Sequence, residues 1–483
     1  MLTGLSRPRF TIDTNGAHWT AAADDRGFLC RKVPSGASGE GERHSNWPLD
    51  SVSSVSAQGR PLSLVPYGLV GLHHPGFQCR PNRRWVARPS QSSGRGATVN
   101  DEPASVATTA IPAQVTFAVY GDPADPKTQS GVAKNLGDAL DRRPELAVER
   151  LDTLPSRSAF LLTAARSVRR HPDRWRWAIH LSPRTTRARS RSLLRQLEQM
   201  RSAEVVLPLR TIYLPIGLPY TPYIDNTVQL SLEHWPHAAP WRGHQLSAVL
   251  AHERAFFGMA PHVFATGRLV AESLISSYQV PRDRVTIVGA GSHYTPASLP
   301  DVTTREPWVL FVGYDFERKG GDRLVHAFRQ VRRRHPDARL KIVGPELRLD
   351  EPGVDVLGPV RDRQRLAELY ARSRVFALPV RYEPYGISFL EAMAHGLPCV
   401  GTDEGAVPEI IEHGHTGYVV RSDDLDGLAD VLALFVADAD RAAALGKAGQ
   451  RRVEVELNWD AVAARMAPIL ARRGGSGHGT SAS

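Results

Sequence analysis

The residues whose types and spacing could do chemistry lie in Glu383-Pro-Tyr-Gly-Ile-Ser-Phe-Leu-Glu391-Ala-Met-Ala-His-Gly-Leu-Pro398. An apolar run ending near Val380 suits a buried strand, and the loop after it presents Glu383. Gly386 lets the chain turn close to a ligand. A helix starting near Ile387 then leaves its first N–H groups pointing into the crevice beyond the strand end. Glu391 falls about one turn into that helix, on a side that reaches the same crevice. Two carboxylates around an anion-binding helix start can hold a phosphate on backbone donors while each acid accepts sugar hydroxyls.

Two other stretches fit the same site. Val312-Gly-Tyr-Asp-Phe-Glu-Arg-Lys-Gly-Gly321 follows one apolar run and precedes a helical pattern. Arg318 and Lys319 would project beside the carboxylates as counter-charges for a diphosphate. Nearer the start, Val115-Thr-Phe-Ala-Val-Tyr120 reads as a strand, and a loop carrying Lys127-Thr-Gln-Ser-Gly131 leads into a helix with Val132, Leu136 and Leu140 on one side. That order is friendly to phosphate at Gly131, although many α/β domains begin in this way.

The Glu-seven residues-Glu spacing followed by Ala-Met-Ala-His-Gly-Leu-Pro resembles the signature of retaining glycosyltransferases of family 4. Val312–Gly321 is similar to that family's diphosphate loop. Gly401-Thr-Asp-Glu-Gly-Ala-Val-Pro-Glu409 and His413-Gly-His-Thr-Gly417 are similar to its next loops. The resemblance implies a GT-B fold: α/β, with two Rossmann-like doubly wound domains facing across a cleft. It gives Glu383 to the transferred sugar and the catalytic centre, and Glu391 to the nucleotide ribose. Arg318 and Lys319 go to the diphosphate, with backbone N–H groups of Gly386, Ile387 and Gly131 completing the cradle. A nucleotide-sugar is implied as co-substrate, with no separate cofactor and no metal, and a glycan, lipid-linked or small-molecule hydroxyl as acceptor. Two departures stand out: Tyr314 follows Gly313 where many members carry Arg, and Pro384 replaces a commoner glycine.

Two rivals share the architecture. A nucleotide-sugar 2-epimerase needs acid and base side chains on both faces of the sugar, and the order of loops argues against it. A non-catalytic sugar-nucleotide-binding protein is disfavoured because the paired acids and the basic pair are intact. Other candidates read more blandly. Glu409 suits bracing a helix start better than touching substrate. His180 suits a structural role at a strand end, Asp225 with Thr227 stays open, and Cys399 reads as a small core residue.

The positioning elements follow from length and pattern. The 483 residues exceed one ordinary domain, and 42% hydrophobic with 23% charged residues is a globular balance. Three cysteines exclude a disulfide framework and a zinc-ligand pair. Without a secretory signal or a long apolar run, the expectation is a cytoplasmic chain, in peripheral contact at most with the inner face of a membrane. The net charge is +10, and eight of those charges lie between Asp141 and Glu204, where fifteen arginines face seven acids. No aromatic-rich RNA signature or zinc-finger spacing accompanies them, which argues against nucleic acid. Leu193, Leu194, Leu197 and Met200 on a helix over 191–200 face either the core, with arginines solvated outside, or an anionic membrane.

Residues 1–110, rich in Ser, Gly, Pro and Arg, are expected to be disordered. An N-terminal acceptor-side domain is expected over 111–298 and a nucleotide-sugar-binding domain over 299–457. A helix over 458–471 should cross back to the first domain, with a flexible tail over 472–483. In the second domain, strands are expected at 308–312, 340–343, 375–378, 399–401 and 418–420. In the first, strands are expected near 175–181, 205–209, 222–225, 262–265 and 285–291.

Overall fold

The structure, a computed structural model, describes residues 10–14, 17–24, 27–33 and 111–474, apart from 155–181, 201–202, 211, 215, 237–242 and 294–304. The expected strand at 175–181, with His180, lies outside the described residues. The chain divides into two compact units, Met1–Asp101 and Glu102–Ser483.

In the first unit the described residues are three strands, β1 (Phe10–Thr14), β2 (Ala17–Asp24) and β3 (Gly27–Val33), paired as an antiparallel meander. The sequence between β1 and β2 is Asn15-Gly16, a pair suited to a two-residue hairpin.

The second unit begins with β4 (Ala113–Val119), α1 (Val132–Asp141), β5 (Leu146–Asp152), α2 (Pro183–Gln199) and β6 (Val205–Pro208). It continues through β7 (Tyr223–Ile224), α3 (Val228–His234), α4 (Gly243–Met259), β8 (Val263–Ala265), α5 (Arg268–Ser276) and β9 (Val285–Ile287). All strand pairs here are parallel, in the orders β5-β4-β6 and β7-β8-β9. Single parallel bridges, Val206 to Tyr220 and Leu209 to Tyr223, join the two triplets edge to edge. The apolar runs that make β4, β6 and β8 are buried on both faces, as helix-covered parallel strands require.

The later half contains β10 (Trp308–Val312), α6 (Gly321–Arg334), β11 (Arg339–Val343), β12 (Val354–Gly358), α7 (Arg363–Arg372), β13 (Val375–Leu378), α8 (Ile387–Ala394), β14 (Cys399–Thr402), α9 (Val407–Ile410) and β15 (Gly417–Val420). Three helices end the described residues: α10 (Leu425–Ala437), α11 (Ala439–Val455) and α12 (Trp459–Gly474). Its six strands are parallel in the order β12-β11-β10-β13-β14-β15. The order reverses between β10 and β13, so their carboxyl-end loops splay apart and open a crevice. Helix α12 packs on α1 and β4, and Arg465 on it donates to the Val288 carbonyl at 2.6 Å.

Helix α2 is longer than expected, because Ser182 accepts a hydrogen bond from the Thr185 N–H and Pro183 sits at the first turn. Leu193 and Leu197 are buried in the core, while Arg184, Arg187, Arg191 and Arg195 are exposed. The core-facing reading of this helix holds.

Helix α3 is held by an unusual acid. Glu253 on α4 is 2% exposed, and both its oxygens accept the Val228 N–H, at 3.2 and 3.1 Å. The Tyr278 hydroxyl also donates to it. Burial pushes the Glu253 carboxyl up to about 7 from an ordinary 4.5, against the pull of these hydrogen bonds. A native-state pKa above the unfolded value adds stability that is complete below the unfolded pKa and is lost as pH rises through the native one. Stability is expected to fall by roughly 1–3 kcal/mol as this one group ionises. Thermal melts from acid to mildly alkaline pH should show that decline in the parent protein, and Glu253→Gln should flatten it.

Candidate functional site

The crevice is built by the loops after β10 and β13. The first folds back on itself, with Lys319 N–H donating to the Asp315 carbonyl at 3.0 Å and Gly321 N–H to the Phe316 carbonyl at 2.7 Å. Gly320 has φ of 75°, and a Cβ there would lie 1.8 Å from the Pro379 carbonyl oxygen. Only glycine lets this loop press against the exit of β13, and that approach brings Lys319 to Glu383. Lys319 Nζ donates to Glu383 Oε2 at 2.8 Å, and Arg318 Nη1 to the same oxygen at 3.4 Å. Arg318 is itself pinned, through Nη1 to the Tyr382 carbonyl at 2.7 Å and through Nε to Asp315 Oδ2 at 3.2 Å.

Glu383 is 8% exposed. Burial alone would raise its pKa, but Lys319 and Arg318 outweigh burial and hold the carboxyl below its ordinary value. It is a buried, ionised carboxylate with both counter-charges on one oxygen. Oε1 accepts nothing among the described residues.

Gly386 is the N-cap of α8 with φ of 103°, which aims the first N–H groups of the helix, starting at Ile387, into the crevice. Glu391 stands one turn along α8. Burial raises its pKa, opposed by the Tyr370 hydroxyl, which donates to Oε2 at 3.2 Å, and by the fields of Lys319 and Arg363. Lys319 thus acts on both glutamates. Tyr370 is fixed in turn by stacking on His395, with ring centroids 4.8 Å apart.

The other wall comes from the earlier half. Gly131 caps α1 at φ of 91°, and Gln129 and Ser130 before it also have positive φ, 48° and 59°. The three make a tight left-handed turn in which the Ser130 N–H donates to the Lys127 carbonyl at 3.3 Å. Arg210, which the sequence reading did not single out, donates to the Gln129 carbonyl at 3.3 Å and pairs with Asp225. No sequence signal marks it, since its position follows only from the adjacency of β6 and β7. Thr227, read together with Asp225, instead caps α3, its hydroxyl accepting from Leu230 N–H at 3.2 Å.

The later half's own loops grip the earlier half. Tyr382 donates its hydroxyl to Asn226 Oδ1 at 2.7 Å and stacks on His234 at 5.0 Å. Tyr385 donates to the Ala290 carbonyl at 3.3 Å. Glu409 braces a helix start, that of α5 across the crevice, accepting Arg268 N–H at 2.8 and 3.1 Å. Cys399 is buried in the core at the start of β14. Among the described residues no helix is long and apolar enough to cross a membrane.

Two doubly wound parallel domains meeting at a crevice of this build define a GT-B architecture. Residues 306–438 match the family described as Glycosyl transferases group 1. A GDP-mannose-dependent alpha-(1-6)-phosphatidylinositol monomannoside mannosyltransferase of Mycobacterium tuberculosis is 36% identical over 182 residues, 34% of this chain and 47% of that protein. An alpha-maltose-1-phosphate synthase of Mycolicibacterium smegmatis is 30% identical over 265 residues, 46% of this chain and 67% of the relative. The chain spans about half the length of the mannosyltransferases it matches. Among solved structures, the sucrose-phosphate synthase from Thermosynechococcus elongatus superposes with a TM-score of 0.53 at 19% identity, over 75% of this chain and 100% of that one. WaaG, a glycosyltransferase involved in lipopolysaccharide biosynthesis, gives 0.53 at 17% identity, over 74% and 99%. The chain belongs to the group 1 glycosyltransferases, family 4.

The contact at Gly320 yields a test of how the site is assembled. Gly320→Ala combines a disfavoured φ with overlap on a backbone carbonyl, so it should cost on the order of 2–4 kcal/mol of stability. Urea denaturation would show this as a lower midpoint, and a cost well below 1 kcal/mol would mean that the loop is free to move off β13.

Proposed function

We propose that the protein transfers a hexose from a nucleoside-diphosphate donor to an acceptor hydroxyl with retention of configuration. The observation that carries this is the buried, ionised Glu383, clamped by Lys319 at the switch point of the later sheet and beside the start of α8. In this reading the diphosphate lies on the N–H groups of Gly386 and Ile387, with Gly131 opposite, and Arg318 and Lys319 neutralise it. Glu391 accepts the ribose hydroxyls. The free oxygen of Glu383 accepts a hydroxyl of the transferred sugar.

The bond between the anomeric carbon and the diphosphate oxygen breaks, and its electron pair leaves with the diphosphate. Positive charge spreads over the anomeric carbon and ring oxygen, and the acceptor oxygen attacks from the face just vacated. Its proton passes to the departing phosphate oxygen, so no separate base is needed. Catalysis is then positioning together with stabilisation of the leaving group by charges already in place. The relatives' activities, GDP-mannose-dependent transfer to a phosphatidylinositol monomannoside among them, support a hexosyl donor and an acceptor hydroxyl on a glycan or lipid headgroup.

The two glutamates have separable jobs. Glu391→Gln should weaken binding of both donor and free nucleoside diphosphate, while Glu383→Gln should depress turnover far more than nucleoside diphosphate affinity. Calorimetry with GDP, UDP and ADP, paired with nucleoside diphosphate release from the matching sugar donors, measures both. Equal effects of the two substitutions on both quantities would sink the division, and full activity in the Glu383 variant would remove that residue from the reaction.

The outward arginines of α2 favour a peripheral attachment to an anionic lipid surface. Because the apolar side of the helix is committed to the core, the attraction is electrostatic and should vanish with salt. Sedimentation with phosphatidylglycerol vesicles should be strong at low salt and weak at high salt. It should be absent with phosphatidylcholine alone and reduced when Arg184, Arg187, Arg191 and Arg195 are all changed to Gln.

A further inference from the structure

The earlier half's wall carries an ion pair that the transfer reading leaves unused. Arg210 and Asp225 follow β6 and β7, neighbouring parallel strands joined at the Leu209–Tyr223 bridge, so both stand at carboxyl ends, where ligands of such sheets bind. Arg210 Nη2 donates to Asp225 Oδ2 and Nη1 to the Gln129 carbonyl at 3.3 Å. The two side chains remain 26% and 23% exposed, within reach of a ligand in the crevice.

Three observations set this pair apart from a surface ion pair. Arg210 is held at φ of 48°, its N–H donating to the Tyr223 carbonyl at 2.8 Å. A non-glycine residue there stores strain, which persists where the surroundings over-determine it and clusters at ligand sites. Gln129, also at φ of 48°, has a buried Oε1 with no hydrogen-bond partner, while its Nε2 donates to the Leu209 carbonyl at 3.3 Å. Burial opposes the charge on Arg210, but Asp225 outweighs it with help from Tyr223 and Glu383, which places the arginine in the field of the carboxylate opposite.

The chemistry of the pair points to a ligand class. A lone arginine in a crevice selects an anion, whereas one already neutralised by Asp225 does not. The pair instead offers N–H donors next to Asp225 Oδ1, which accepts nothing among the described residues. A donor and an acceptor side by side match two adjacent hydroxyls, each able to give one hydrogen bond and receive another. Gln129, whose carbonyl Arg210 holds, keeps a buried Oε1 without a hydrogen-bond partner next to the pair's own strand end.

We propose that Arg210, Asp225 and Gln129 form the acceptor subsite and that it takes a neutral vicinal diol of a sugar or cyclitol rather than a phosphate group. The proposal rests on the glycosyl-transfer reading. The test is nucleoside diphosphate release from GDP-mannose and UDP-glucose, with methyl α-mannoside and myo-inositol as acceptors, and with mannose 6-phosphate and inositol 1-phosphate in their place. The variants are Arg210→Asn, because Asn tolerates the left-handed backbone, Arg210→Lys, which keeps the charge beside Asp225, and Asp225→Asn. The expected result is stimulation of the parent protein by the neutral polyols. In the variants the acceptor KM should rise at least tenfold, with nucleoside diphosphate affinity within twofold of the parent. Stimulation by the phosphates alone, by neither polyol, or an unchanged acceptor KM in Arg210→Asn and Arg210→Lys would overturn the proposal. So would a parallel loss of nucleoside diphosphate affinity. A parent protein that binds no nucleoside diphosphate would instead overturn the transfer reading itself.

Discussion

The contact between Lys319 and Glu383 is the constraint on which the rest of the site depends. A carboxylate as buried as Glu383 stays ionised only if a counter-charge is held against it, and removing one partner of such a pair costs on the order of 3–5 kcal/mol. Lys319 comes from the loop after β10 and Glu383 from the loop after β13, so their contact ties together the two strands where the sheet order reverses. The distance is set by backbone rather than by side-chain reach, because Gly320 lies directly on the Pro379 carbonyl. From that fixed point Lys319 also biases Glu391, and Arg318 is pinned to the chain just before Glu383. Charge, loop geometry and sheet topology therefore specify one arrangement together.

Legibility in the sequence followed burial. Strands β10, β13, β14 and β15 could be read because each is a short, mostly apolar run followed by glycine or a turn, and β11 because Leu340, Ile342 and Val343 around Lys341 lead into Gly344. The strands missed, β5 and β12, lie at the edges of their sheets and are half-exposed, so Glu149 and Arg150 in one and Asp355 in the other break the apolar run. Helix α5 was missed because it is short and starts at Gly267 without a side-chain cap. Its cap arrives from Glu409, far away in the chain. The residues proposed for the donor side could be singled out because Arg318, Lys319, Gly386 and Glu391 each sit in a local pattern with a strand before it and a helix after it. Arg210 belongs to no such pattern. Its positive φ and its pairing with Asp225 follow from two strands meeting edge to edge.

Family membership and residue geometry carry different weights. The shared signature and the GT-B architecture establish the class, whereas the chain departs from common family usage at Tyr314, which is exposed at 72%. Where many members place an arginine after the glycine, this chain offers an uncharged ring in solvent. The positive charge of this loop is then concentrated in Arg318 and Lys319, both already engaged by Glu383. A donor diphosphate entering this site would share those cations with the glutamate, which binds the state of the leaving group to the state of the carboxylate.

The loop that carries Glu383 also sets the register between the two walls. Tyr382, one residue before the glutamate, reaches Asn226, one residue after Asp225. Tyr385, two residues after it, reaches the chain just beyond β9. The loop is therefore bracketed by two tyrosines anchored on the opposite domain, and any rotation that opens the crevice must break both contacts together with the Glu409 brace on α5. Breaking them shifts Glu383 relative to Asp225 but leaves its contact with Lys319 intact, because that contact is internal to the later half. The Glu383–Lys319 contact thus belongs to the later half alone, whereas the spacing between Glu383 and the Arg210–Asp225 pair depends on how the two halves are docked.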